Sequence, residues 1–321
     1  MWLTGSHKGL PMRLAIIGQQ AFGKSVLEAF IARGATVAGV FCAPEKPGAK
    51  PDPLRTAAEE RGVRVFQLPS LKDAQAAQIL TDLKVDLGVM AYVVQFAPLA
   101  LVNIPKHGTI QYLPSLLPRY RGPSSINWPI IKGDTQTGLT IFRPSDGLDE
   151  GPIILQKTVP IGPDDTLGSV YFDRLFPLGV AALVEAADLV VAGGHQQTAQ
   201  REDLASYEGW CRDPESRINW QAHVDQVYNL IRGCNPAPGA WTMVHGQKVR
   251  MYDLILHRTR TFGAVPGKPG EVCAIGARSI DIAAQGGRLE LLTVRIEGGA
   301  KMDAAALATS VQVTVGATLE S

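Results

Sequence analysis

Cysteine is scarce: Cys42, Cys211, Cys234 and Cys273 are the only four in 321 residues, with no Cys-x-x-Cys spacing and no histidine pair nearby. That pattern argues against a disulfide framework and against a zinc site, and predicts reduced thiols in a cytoplasmic protein without a resident metal. Net charge is nearly absent too. Lysine and arginine number 31 against 30 acids, so the chain carries +1 and no global field that would draw in nucleic acid. A tRNA partner is therefore not favoured. No apolar run reaches the roughly 18 residues needed to span a bilayer, and no membrane association is expected. Residues 1–11 lack the apolar stretch of a secretory signal and read as an N-terminal extension, with Met12 opening the first strand-like segment.

What the chain does have is length and apolar content for two cores, at 45% hydrophobic and 19% charged residues. From Met12 short apolar runs alternate with amphipathic ones, the pattern of an α/β fold with a mainly parallel sheet covered by helices. Strands are expected at 13–17, 36–41, 63–67, 86–92 and 108–112, and helices at 24–33, 54–61, 73–83 and 124–131. Two antiparallel strands, 140–142 and 153–159, should flank a turn, and one long helix should run over 170–191. A polar, glycine-containing stretch then suggests a linker at 195–206 between a first domain, 12–194, and a second, 207–315. In the second, a helix at 220–231 precedes short β-like runs at 248–256, 270–275, 279–283 and 289–294. Gly/Pro turns separate them, which suggests a small β-barrel.

Gly18-Gln-Gln-Ala-Phe-Gly-Lys-Ser25 matches the GxxxxGK[ST] phosphate-binding pattern, after a strand and before a helix. Backbone N–H groups and Lys24 could cradle phosphates there. A nucleoside triphosphatase also needs an acid at the end of a second apolar strand to hold magnesium, and the 36–41 strand ends in Cys42-Ala43. The two glycines are expected to serve a tight strand-to-helix turn instead.

Two further segments carry more information: Gln111-Tyr-Leu-Pro-Ser-Leu-Leu-Pro-Arg-Tyr-Arg-Gly122 and Ser145-Asp-Gly-Leu-Asp-Glu-Gly151. Together they resemble the catalytic segments of the formyltetrahydrofolate-dependent transferases and hydrolases, with their Asn-x-His-x-Ser-Leu-Leu-Pro and Gly-Leu-Asp-x-Gly patterns. Ser115 to Pro118, Gly122, Gly147 to Asp149 and Gly151 match, whereas Gln111 stands at the asparagine position and Leu113 at the histidine position. Tyr207-Glu-Gly209, Arg217-Ile-Asn-Trp220 and Pro238-Gly-Ala-Trp241 extend the likeness towards the C-terminus, through the hydrolase domain of 10-formyltetrahydrofolate dehydrogenases and the small barrel of methionyl-tRNA formyltransferases.

The resemblance implies a Rossmann-like formyltransferase domain followed by an OB-like barrel, and a reduced folate as ligand, 10-formyltetrahydrofolate or a relative, with no metal. It implies a small-molecule acceptor or water as the second substrate. Asp149 would be the proton-handling catalytic residue, Gln111 a donor to the formyl oxygen, and Leu113 a degenerate histidine position. The pterin would lie between the strand end carrying Met90, Tyr92 and Val94 and the loop of Arg143, Asp146 and Gly147, with Ser115 nearby. Leucine offers neither a proton nor a hydrogen bond, and losing a general acid costs about two to four powers of ten in rate. Four readings stay open: transfer or hydrolysis of a formyl group, altered chemistry on methylene- or methenyl-tetrahydrofolate, folate binding without turnover, and methionyl-tRNA formylation.

Overall fold

The structure, a computed structural model, describes residues 12–261, 264–265 and 267–320; the expected N-terminal extension lies outside them. The chain divides into two compact units. The first runs to Gly122 and takes in Gly138–Val159 and Arg174–Tyr207, and the second holds Pro123–Thr137, Pro160–Asp173 and the chain from Glu208 onward. Residues 195–206, expected to form a linker, belong to the first unit: Thr198 exchanges backbone hydrogen bonds with Ile153, and Ser206 donates to Pro118 O.

The first unit is built on β1 (Arg13–Gly18), α1 (Gln20–Ala32), β2 (Thr36–Cys42), α2 (Pro53–Glu60), β3 (Val65–Gln67), α3 (Ala74–Asp82), β4 (Leu87–Ala91), α4 (Leu99–Val102) and β5 (Thr109–Leu113). After α5 (Asn127–Ile131) come β6 (Gln136–Phe142) and β7 (Ile153–Pro160). These strands form one sheet in the order β3-β2-β1-β4-β5-β6-β7, parallel through β5 and antiparallel where β6 joins β5. Both faces are covered, so the central strands read as continuous apolar runs rather than alternating ones. Ala15, Ile17, Phe41 and Met90 pack with Ala76, Leu80, Leu101 and Val102 on one face. On the other face Tyr112 stacks on Phe22 of α1 at 4.4 Å between ring centroids. Val26, Leu27 and Phe30 of the same helix are fully buried.

The long helix expected over 170–191 is three pieces: α6 (Leu167–Val170), a π-helical turn over Tyr171–Leu175, and α7 (Phe176–Val191). Pro177 follows the first residue of α7, where its missing N–H is tolerated. Gly179 lets α7 approach the sheet, since a Cβ there would lie 2.5 Å from the Tyr112 ring.

The second unit carries α8 (Val224–Gly233) and two four-stranded antiparallel sheets. One has the order β10 (Leu254–Arg258), β13 (Gly287–Leu291), β12 (Ile280–Ala284), β11 (Val272–Ile275); the other runs β15 (Met302–Asp303), β14 (Thr293–Ile296), β9 (Gln247–Met251), β8 (Ala240–Val244). The small antiparallel β unit expected of the C-terminal part is present. The helix starts four residues later than the expected 220, because His223 caps it by accepting the Asp225 N–H at 3.3 Å, while Trp220 is buried among the second core.

Candidate functional site

Open parallel sheets place ligand sites at the carboxyl ends of their strands. Here β5 ends at Leu113 and runs directly into the Ser-Leu-Leu-Pro loop. Thr140 of β6, opposite Leu113, fixes that loop: its fully buried hydroxyl donates to Ser115 O at 2.7 Å and accepts the Leu117 N–H at 3.1 Å. Gln156 of β7 adds a bond to Leu117 O at 2.8 Å. Ser115 itself is wholly buried, and among the described residues its Oγ has no hydrogen-bond partner.

Strand alternation then assigns directions. Tyr112 faces α1, so Gln111 and Leu113 share the opposite face, both half-buried. Gln111 sits between Met90 of β4 and Phe142 of β6, and its side-chain amide makes no hydrogen bond among the described residues. A free amide donor beside an apolar Leu113 is thus what this strand end offers.

The Asp149 turn closes on the same loop. Arg143 N–H donates to Pro152 O at 3.0 Å, so the chain from β6 to β7 doubles back over Pro144 to Gly151. Gly151 is required there, because a Cβ would lie 1.6 Å from Arg143 O. Asp149 adopts a left-handed backbone, φ 55°, and its carboxylate accepts the Gly122 N–H at 2.9 Å. Burial pushes its carboxyl pKa up, opposed by that N–H and by the charge of Arg121. The group is a carboxylate biased towards holding a proton.

A buried arginine ties the turn to the rest of the unit. Arg121 is fully buried; its guanidinium donates to both Glu202 oxygens at 3.0 and 2.7 Å, to Gln200 Oε1 at 2.8 Å, and to the Tyr207 hydroxyl. Gln200 in turn donates to Asp149 O at 2.8 Å and Gly151 O at 2.7 Å, and Tyr207 donates to Glu150 at 2.6 Å. The ion pair with Glu202 holds the guanidinium charged. This support leaves no local signature in the sequence: the motif contains the arginine, but its partners lie 79 to 86 residues away.

The other predicted residues fall in different places. Met90 is 3% exposed and its side chain belongs to the core, leaving only its backbone to face a ligand. Tyr92 (φ 60°), Val94 and Phe96 follow β4 on a loop and are about half exposed, as is Leu148 in the Asp149 turn. Asp146 is exposed and Gly147 half-buried in that turn. Arg143 lies elsewhere: its guanidinium donates to His107 O at 2.7 Å and Thr109 O at 3.1 Å, at the start of β5 rather than its end.

The phosphate-loop pattern has a structural explanation. A Cβ on Gly18 would lie 1.9 Å from Ala91 O, so glycine is needed where β1 passes β4. At the start of α1 the Gln20 N–H donates to the Asp52 carboxylate at 2.9 Å. A carboxylate already sits where a phosphate would have to bind. Among the described residues no group of three or more histidine, cysteine or acidic side chains is placed to hold a metal, and no helix is long and apolar enough to cross a membrane.

The chain is similar to known proteins over most of its length. Residues 12–187 match the formyl transferase family and residues 212–312 the formyl transferase C-terminal domain. The mitochondrial 10-formyltetrahydrofolate dehydrogenase of Homo sapiens is 40% identical over 266 residues, 81% of this chain and 28% of that protein. The chain therefore spans little more than a quarter of such relatives. Methionyl-tRNA formyltransferase of Syntrophus aciditrophicus (strain SB) is 33% identical over 295 residues, 90% of this chain and 93% of that one. Among solved structures, HypX from Aquifex aeolicus in complex with tetrahydrofolic acid superposes with a TM-score of 0.64 at 20% identity, over 95% of this chain and 48% of that one. WlaRD, a sugar 3N-formyl transferase, gives a TM-score of 0.64 at 17% identity over 91% of this chain and all of that one. With both domains matched over most of its length, the chain belongs to the formyl transferase family.

Proposed function

We propose that the protein is a folate-dependent one-carbon enzyme that takes 10-formyltetrahydrofolate or a close relative and passes its formyl group to a small amine or to water. The observation that carries this reading is the Asp149 carboxylate on the Gly122 N–H, which brings the two motif segments into one site. The residues present fit a reduced folate. Ser115 offers a buried hydroxyl without a protein partner, and Tyr92, Val94 and Leu148 expose apolar surface suited to a flat ring system. Backbone groups of the Met90 to Val94 and Ser145 to Gly147 stretches would read its polar edge, as family likeness suggests.

When bound, the folate supplies the activated one-carbon unit. Asp149, with its raised pKa, takes a proton from the attacking amine or water more readily than an ordinary surface carboxylate. The Gln111 amide can donate an N–H towards charge developing on the formyl oxygen. Leu113 keeps the strand end apolar and supplies no proton, which lowers the rate of formyl chemistry. That side chain favours a second reading: a methylene or methenyl carbon bears no formyl oxygen, so it needs no imidazole there. The net charge of +1 gives an aminoacyl-tRNA acceptor little support.

Calorimetric titration with 10-formyl-, 5,10-methenyl- and 5,10-methylene-tetrahydrofolate, followed by mass analysis of the products, tests the proposal. Saturable binding with tetrahydrofolate released from the 10-formyl form is expected. Binding without product would leave a folate-binding protein, and no binding of any reduced folate would refute the reading.

A further inference from the structure

A cavity lies at the end of β5 opposite the Ser-Leu-Leu-Pro loop. It has a volume of about 360 Å³ and is lined by residues of the 102–109 stretch together with Arg143, Pro144 and Gln197, all within the first unit. The five residues of β5 separate it from Leu113 by about 13 Å at roughly 3.3 Å per residue. Its volume is in the range of small-ligand sites, about 300 to 1,000 Å³.

The charge around it is of one sign. Lys106 and Arg143 are the charged side chains that line the cavity, and no acidic side chain does among the described residues. Lys106 is exposed and makes no ion pair among the described residues. Arg143 is held in place by backbone: Gly108, at φ 69°, leaves room for its guanidinium, which donates to His107 O and Thr109 O. Its third bond runs to His195 Nε2 at 3.3 Å. A guanidinium has five N–H groups, so two remain without a protein acceptor among the described residues.

The contact also fixes the histidine. Arginine donates only, so His195 Nε2 accepts in this contact, and burial together with the Arg143 charge favours the neutral imidazole. It cannot neutralise Arg143. Burial lowers the pKa of the guanidinium with no opposing acid, the signature of a partly desolvated cation that lacks a counter-ion.

We propose that this cavity binds a small oxyanion, a carboxylate or phosphate group, held by the two spare N–H groups of Arg143 and the ammonium of Lys106. The planar guanidinium fork matches two oxygens of either group, and Lys106 at the rim supplies a second positive charge. The proposal does not depend on the folate reading.

The test is a calorimetric titration of the full chain with inorganic phosphate and, separately, with glutarate, at constant ionic strength against a chloride control. Saturable binding of at least one probe is expected. Lys106→Ala should weaken it about tenfold, as loss of one charge-assisted contact would. Arg143→Lys should weaken it as much or more, because an ammonium lacks the fork. Lys106→Ala alters an exposed side chain, so it decides the matter even if the Arg143 variant fails to fold. No saturable binding of either probe, or binding that both variants leave unchanged, overturns the proposal. Anion affinity should be the same with a reduced folate present at saturation; competition between the two would place the anion in the folate site and overturn a separate one.

Discussion

The Asp149 carboxylate accepts the Gly122 N–H at 2.9 Å, so the aspartate of one motif rests on the last residue of the other. The bond orients a carboxyl group that burial has made easier to protonate. Because its pKa in the folded state lies above its unfolded value, this group favours folding at low pH and loses that contribution as pH rises through the folded pKa. Asp149→Asn should therefore raise the Tm at pH 7 to 8, with an advantage over wild type that vanishes in acid. The same substitution should lower turnover by about 10² to 10⁴. Paired melting curves and rates check both halves; a variant that loses stability at neutral pH would contradict the assignment.

The rate should follow the same carboxyl. If Asp149 accepts the proton, turnover rises with pH through an apparent pKa above the usual carboxylate range. A pH–rate profile with its acid limb near an ordinary carboxylate value would remove Asp149 from that role.

Arg121 should matter through the turn it supports. Arg121→Met leaves Gln200, Glu202 and Tyr207 without their common donor, and should cost about 2 kcal/mol in urea denaturation. Arg121→Lys should not restore it, since an ammonium cannot span both Glu202 oxygens and Gln200. Wild-type stability in either variant would show the network to be idle.

The start of α1 gives a control on the phosphate-loop pattern. Asp52 accepts from Gln20 and Leu54, so Asp52→Ala should cost about 1 kcal/mol. Neither it nor the wild type should bind ATP in a titration with magnesium. ATP affinity appearing once the carboxylate is gone would reopen the nucleotide reading.

Much of the first unit was legible because its central strands are short apolar runs set between amphipathic helices, a contrast that the sequence pattern alone marks. Helix ends were less so. α1 begins at Gln20 rather than residue 24 because Asp52, thirty-two residues away, satisfies its first N–H. The π-helical turn at Tyr171–Leu175 left no trace in a hydrophobic pattern that runs through it. β8, Ala240–Val244, was not expected, since its alternating burial is short and follows a Pro/Gly turn. Around the candidate site, the motif segments that carry Asp149, Gln111 and Leu113 were readable locally. Arg121, Gln200 and Tyr207 were not, because a buried ion network is defined by tertiary contact and by no local spacing. The position of Arg143 was obscured for the same reason: its neighbours along the chain lie in the turn, but its hydrogen bonds reach the start of β5.

The most direct measurement is the rate at which Leu113→His releases formate or formyl product from 10-formyltetrahydrofolate, compared with wild type in one assay. The side chain shares a strand face with Gln111 at the end of β5, and an imidazole there would supply the acid that the proposed formyl chemistry lacks. A gain of about a hundredfold or more is expected if the rest of the formyl site is intact. A variant that folds and binds the folate yet shows no gain would contradict a formyl-transfer site at this strand end.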